Sequence, residues 1–163
     1  MCCSLLHSLS RPKLPILWCT FATQGTETYP NGDKQWYLYG ILHREDGPAV
    51  EWVNGNKEWY LDGKRHREDG PAVEYADGDK EWWLDAKLHR EDGPAVEWAN
   101  GNKEWYLDGK IHREDGPAVE GTNGNKEWYL NDEEVDPEVI ADLWLAKNIY
   151  CIYNKETNQL EFE

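Results

Sequence analysis

The sequence predicts a mainly β protein: an elongated, single-layer antiparallel β-sheet built from 23-residue β-hairpin repeats, with a small C-terminal cap of helix plus hairpin. Three observations carry this prediction. The block HREDGPAVE stands letter for letter at His43–Glu51, His66–Glu74, His89–Glu97 and His112–Glu120, each copy 23 residues after the last. A second block, NGNKEWYLDGK in its commonest form, starts at Asn31, Asn54, Asp77, Asn100 and Asn123. Units of this length cannot bury an apolar face alone, so they bury it against stacked neighbours. Composition is the third observation: 10 Trp and 9 Tyr stand against 2 Phe and 1 Met. Amphipathic rings in place of an aliphatic core suit a thin sheet, where one edge of a side chain stays wet.

Residues 1–28 differ in kind and are expected to form a loosely ordered N-terminal tail. They hold Pro12, Pro15 and an apolar run, Leu14–Ala22, but none of the repeat vocabulary. Arg11 and Lys13 precede that run in the order of a secretion signal, yet Pro15 interrupts it, Trp18 is bulky and no small-residue cleavage site follows. The run falls short of the roughly 20 apolar residues that span a membrane. Cys2, Cys3, Cys19 and Cys151 lie outside the repeats at no metal-binding spacing, so a reducing, cytoplasmic setting is the expectation.

The array is expected over residues 29–135. Asn54-Gly55, Asp77-Gly78, Asn100-Gly101 and Asn123-Gly124 are hairpin signals of the type I′ kind, which needs a positive φ twice. A second series follows eight residues on, with Asp62-Gly63, Asp108-Gly109 and the weaker Tyr39-Gly40, Asp85-Ala86 and Asn131-Asp132. Repeats that stack by translation need an even number of reversals. The first two series are therefore turns, and EDGP is a bend within one kinked return strand. A unit becomes a strand such as Lys57–Leu61, a two-residue turn, and a return strand over Lys64–Tyr75. That register sets Tyr60 against Arg65 and Trp59 against His66, so each Trp should lie against the His that opens the next block. Leu42, Arg65, Leu88 and Ile111 should flank Tyr37, Tyr60, Trp83 and Tyr106.

Residues 136–163 read as a terminal cap, which an array needs to cover its bare end. Asp136-Pro137-Glu138 is a helix start, with Asp at the N-cap, Pro in the first turn and an acid after it. Val139, Ile140, Leu143 and Trp144 form an apolar stripe to about Lys147, and Asn148 can end the helix. Ile149–Tyr153 and Gln159–Glu163 then read as a hairpin.

Period, hairpin unit, aromatic strand, x-x-G-K turn and a His opening the return strand resemble MORN repeats of the shorter variant class, over about Tyr29–Val135. Standard units carry Gly directly after that His, where this chain has Arg44, Arg67, Arg90 and Arg113. The resemblance implies an elongated antiparallel sheet serving as a scaffold or assembly module, in some cases one that touches lipid. Variant arrays of this kind also resemble some antitoxin-like partner proteins.

The tempting chemical constellation is HRED. His43, His66, His89 and His112 with Asp46, Asp69, Asp92 and Asp115 have the ingredients of a general-base pair or half a metal site. Active sites are built once, whereas structural devices recur in every unit. The expectation is therefore a ladder of cross-repeat ion pairs, with Asp capping the bend at Gly47, Gly70, Gly93 and Gly116. A column of His also suggests a response to protonation near about pH 6. No catalytic residue, metal or cofactor is expected, and the protein reads as a non-enzyme. The candidate binding surface is the row of ring pairs: Trp36 and Tyr37, Trp59 and Tyr60, Trp82 and Trp83, Trp105 and Tyr106, Trp128 and Tyr129. Their alternative use is boxing a glycan or choline ligand, as in cell-wall-binding repeats. A net charge of −15, from 32 acidic and 17 basic residues, argues against nucleic acid and against an anionic membrane. A protein partner of unknown identity is left, and self-association is compatible with the sequence.

Overall fold

A computed structural model describes residues 24–157 of the 163. The expected tail up to residue 23 and the second strand of the expected terminal hairpin, Gln159–Glu163, lie outside the described residues. The described chain is mainly β, with nineteen short strands and one C-terminal helix.

Each complete repeat contributes four two-residue strands, in the second copy Lys57–Glu58, Tyr60–Leu61, Lys64–Arg65 and Val73–Glu74. Lys-Glu and Val-Glu strands alternate across an eleven-stranded sheet. Lys57–Glu58, for example, pairs antiparallel with Val50–Glu51 on one side and Val73–Glu74 on the other. The Tyr-Leu and Lys-Arg strands form a second row of hairpins, with Tyr60 opposite Arg65 and Leu61 opposite Lys64, as the turn chemistry requires. Neighbouring hairpins join through Arg67 N–H to the Trp83 carbonyl (3.1 Å) and Ala86 N–H to the Arg65 carbonyl (3.0 Å).

Trp59 is the joint between the two rows. Its N–H donates to the Ala72 carbonyl at 2.8 Å, while its own carbonyl accepts from His66 N–H at 3.1 Å. One residue on the Trp strand thus spans the gap between His66 and Ala72, and Arg67–Pro71 leave the ladder as a loop. The expected kinked return strand is two short strands around this loop. A bend keeps its residues in register, whereas Pro71 has no N–H to offer the ladder and Arg67 carries its backbone to the next hairpin.

The two turn series also differ from one another. Asp62 (φ 49°) and Gly63 (φ 77°) make the type I′ turn, and the same signs recur at Asp85-Ala86 and Asn131-Asp132. In the Asn-Gly series only the glycine is left-handed, Gly55 at φ 97°. Gly55 N–H donates to the Trp52 carbonyl (2.9 Å) and Trp52 N–H to the Asn56 carbonyl (3.0 Å). That is a three-residue loop with a glycine bulge, not the expected type I′ turn. Asn54 is held by its side chain instead, whose Oδ1 accepts from Asn56 N–H at 3.0 Å.

The core is the Ala-Val of each HREDGPAVE: Ala49, Ala72, Ala95 and Ala118 with Val50, Val73 and Val96, all buried. Consecutive strand residues point to opposite faces. Ala72 therefore shares a face with Trp59, and Val73 with Glu58 and Tyr60, so rings cover both faces of the layer.

Both ends depart from expectation. Gln24–Thr28, assigned above to the tail, is an edge strand paired with Lys34–Leu38. Asn31-Gly32 makes the same glycine turn as the later copies, with Gly32 N–H on the Tyr29 carbonyl (2.9 Å). That hairpin needs a strand before the turn as well as after it. At the other end a single helix covers Pro137–Thr157, including residues expected to begin a hairpin. No Gly or Pro follows Pro137 in that span, and extension costs little once a helix has nucleated. Ile140 is buried at 4% exposure, while Val139, Leu143 and Trp144 of the expected stripe keep 37–53%. No described helix is long and apolar enough to cross a membrane.

Candidate functional site

The Arg of HREDGPAVE organises the loop that follows it. Arg67 Nε donates to Asp69 at 2.8 Å, and Nη1 reaches the Pro71 carbonyl at 3.1 Å and Glu74 at 3.2 Å. Its guanidinium lies 4.2 Å from the centre of the Trp59 ring. Arg44, Arg90 and Arg113 repeat the stack on Trp36, Trp82 and Trp105 at 4.0–4.2 Å. The glycine two residues before Ala leaves room for this close approach. A Cβ on Gly70 would stand 3.0 Å from Arg67 Cζ, and one on Gly116 2.9 Å from Arg113 Cζ. The Arg neighbours hold Asp46, Asp69 and Asp92 below the usual carboxylate range, through the hydrogen bond first and charge second.

These Arg–Asp pairs close within one loop, and the expected cross-repeat ladder runs instead through His43, His66 and His89, whose Nδ1 lies 3.0–3.4 Å from the carboxylates of Asp62, Asp85 and Asp108 in the next unit. The bonds between repeats come from His. Nδ1 of His43, His66, His89 and His112 accepts the turn N–H of Asp62, Asp85, Asp108 and Asn131 at 3.1–3.3 Å. A ring whose Nδ1 faces the turn of the next unit presents Nε2 to its own loop. That nitrogen lies 3.7–3.9 Å from Glu45, Glu68, Glu91 and Glu114. A second row runs along the opposite turns, where Asp33, Asn56, Asp79 and Asn102 accept the N–H of Val53, Ala76, Ala99 and Thr122 at 2.7–2.9 Å. Among the described residues no group of three or more His, Cys, Asp or Glu is arranged to hold a metal ion.

The ring pairs divide by face. Trp36, Trp59, Trp82 and Trp105 each have an Arg on one side of the ring, so that side is already covered. The second member of each pair is tied to the acid two residues before it. Tyr60 donates to Glu58 at 2.9 Å, Trp83 to Glu81 at 2.8 Å, Tyr106 to Glu104 at 2.8 Å and Tyr129 to Glu127 at 3.2 Å, while Tyr37 bonds Gln35. Burial, then the bond to Glu58, pushes the Tyr60 phenol up, and Tyr106 is raised by burial and Glu104 in the same way. Sequence reasoning missed a further ring on this face, directly after PAVE. Trp52 donates to Glu58 at 3.0 Å and Tyr75 to Glu81 at 3.2 Å. The 23-residue period held the signal, since that position reads Trp52, Tyr75, Trp98 and Gly121.

Between successive HREDGP loops the sheet carries a trough. Trp59 and Leu61 lie in the first, between Glu45 on one loop and Glu68 on the next, around about 730 Å³. The second, of about 790 Å³, repeats this with Trp82 and Leu84 between Glu68 and Glu91. The third, of about 760 Å³, lies between Glu91 and Glu114 and is lined in addition by Trp144 and Lys147 of the C-terminal helix. Lys147 bonds Glu114 there and holds its carboxyl below the usual range.

Neither a family model nor a curated protein matches this chain.

Proposed function

We propose that the protein is a non-enzymatic repeat scaffold of the MORN type, which presents a periodic surface to a protein partner. The observation that carries this reading is the recurrence of one trough, with the same residue types and nearly the same volume, between each pair of HREDGP loops. The candidate catalytic letters support it. His, Arg and Asp of each copy are engaged in joining the repeats or shaping the loop, which leaves no base–nucleophile pair among these letters. The acidic balance of −15 suits a basic partner surface and opposes binding to phosphate backbones. The reading as a cell-wall glycan or choline binder is less well supported, because boxing a ligand needs open ring faces and Arg already occupies one side of five rings.

The test is affinity capture with the full chain as bait, followed by calorimetry on the purified pair. The scaffold reading expects a stoichiometric protein complex and no change in Trp emission on titration with choline or oligosaccharides. A saturable emission change with either ligand, and no protein retained, would replace scaffolding with small-ligand binding.

A further inference from the structure

The troughs differ in one respect. Where Lys147 bonds it, the Glu114 side chain is 45% exposed, whereas Glu45, Glu68 and Glu91 in the same place are 84–86% exposed. The chain thus shows in its third trough what such a site receives: a helix that brings an aromatic ring and, three residues later, a lysine. We propose that the first two troughs receive the same chemistry from another protein, a basic helical segment bearing aromatic residues, with its cations on Glu68 and Glu91. This rests on the scaffold reading and names its partner.

Three lines of argument support that occupant. Trp59 and Trp82 carry Arg on one side, but Leu61 and Leu84 beside them offer further apolar floor for an incoming ring. The walls are acidic on both sides, so a cation gains from two loops at once. Finally, this Glu is the one letter of HRED without a strong bond in the fold. Its neighbour is a His nitrogen at 3.8–3.9 Å, beyond hydrogen-bond length, yet the letter stands in all four copies. Spacing then sets the ligand. Successive troughs lie two strands apart, about 9.6 Å, and seven helical residues rise about 10.5 Å. A helix along the array would therefore place one cation per heptad.

The probe is a dye-labelled helical peptide of about 21 residues with Trp-x-x-Lys repeated each heptad, titrated with the full chain by anisotropy. The expected outcome is saturable binding that weakens at least tenfold in the combined variant Glu45→Gln, Glu68→Gln, Glu91→Gln. These side chains are 84–86% exposed, so that variant keeps its fold, checked by its melting curve. A charge-matched control, Glu133→Gln, Glu134→Gln, Asp142→Asn, exposed and away from the trough walls, should bind as the parent does. No saturable binding, or equal weakening in both variants, overturns the proposal. So does a dimer in sedimentation that Lys147→Glu dissolves, since a second copy would then fill the troughs. A captured natural partner that the trough variant binds unchanged refutes the trough site and leaves the scaffold standing.

Discussion

Replacing Arg67 with lysine should cost far more than a surface charge-conserving change normally does. Lysine keeps the charge but lacks the planar fork that serves Asp69, the Pro71 carbonyl and Glu74 while lying flat on Trp59. The stack contributes roughly 0.5–1 kcal/mol at a partly exposed site. The charged bond to the Pro71 carbonyl contributes about 1.5 kcal/mol, and the half-exposed Glu74 pair about 0.5 kcal/mol. Asp69 is exposed, where a screened pair adds little. Removing the guanidinium altogether, as in Arg67→Ala, should therefore cost about 3 kcal/mol, and Arg67→Lys should lose about two-thirds of that. Thermal melting of the full chain should fall by about 10 °C for alanine and about 6 °C for lysine. Amides of the Val73–Glu74 strand should exchange faster before the rest of the array, because stability in repeat arrays is set by neighbouring units.

Gly70 supplies the discriminating control. A Cβ there meets the Arg67 guanidinium at 3.0 Å, so Gly70→Ala should cost about 1–2 kcal/mol in the parent and close to nothing in Arg67→Ala. Additive costs, or an Arg67→Lys melt within about 1 °C of the parent, would refute the assignment of this Arg as the loop's organiser.

Ala86 sits at φ 65° where Gly63 and Gly109 occupy the equivalent turn position. Ala86→Gly should stabilise by about 0.5–1 kcal/mol, read as a raised melting temperature. Asn56→Ala removes the 2.9 Å bond to Ala76 N–H between successive turns. It should cost about 1 kcal/mol and speed exchange at that amide. Acid should destabilise the array. Asp46, Asp69 and Asp92 are held below their ordinary value of 3.8 by Arg. The unfolded chain therefore takes up protons first as pH falls, and the stabilisation is present above about pH 4 and lost below it as the depressed folded values are passed. Melts from pH 5 to 3 should show that slope, and the Asp→Asn triple variant should flatten it.

The fold was legible because its information is local. Asp62-Gly63 and its counterparts declare a two-residue turn, and the turn fixes the pairing of Tyr60 with Arg65 without any knowledge of the rest. Parity then separated turns from the EDGP element. What escaped is what depends on a long side chain. Nothing in the letters of HRED says that Arg67 folds back over its own loop onto a Trp eight residues earlier, so the letters show Gly70 as the bend residue it is but not as the space beneath a guanidinium. The Asn-Gly turns were misassigned because Asn-Gly serves two turn types, and here the extra residue Val53 selects the bulged one. The helix overran its expected end for the opposite reason. Ile149–Tyr153 favours strands locally, but helix extension from a formed nucleus outweighs that preference when no breaker intervenes.

The pattern of change between copies distinguishes the two faces of the sheet. One stretch reads Tyr75, Asp77, Trp83 and Ala86 where the same positions 23 residues on read Trp98, Asn100, Tyr106 and Gly109, so the units have diverged. HREDGPAVE has not. Of its nine letters, His joins repeats, Arg, Asp, Gly and the last Glu build one loop, Pro lends its carbonyl, and Ala and Val are core. Only the exposed Glu of HRED has no comparable task in holding the sheet. The face of Tyr60, Arg65 and Trp83 varies from unit to unit, as Leu42, Arg65, Leu88 and Ile111 show. Such a face suits contacts that differ along the array. The trough face offers the same walls at every step, which a ligand with its own period can engage several times at once. Binding at two equal troughs is then an avidity problem. Linking two Trp-x-x-Lys units at heptad spacing should raise affinity well above that of one unit, by up to about 10²–10⁴ where the spacing fits. Moving the second unit by half a heptad should abolish that gain, because its tryptophan would then meet the loop between troughs instead of the floor of Trp82 and Leu84.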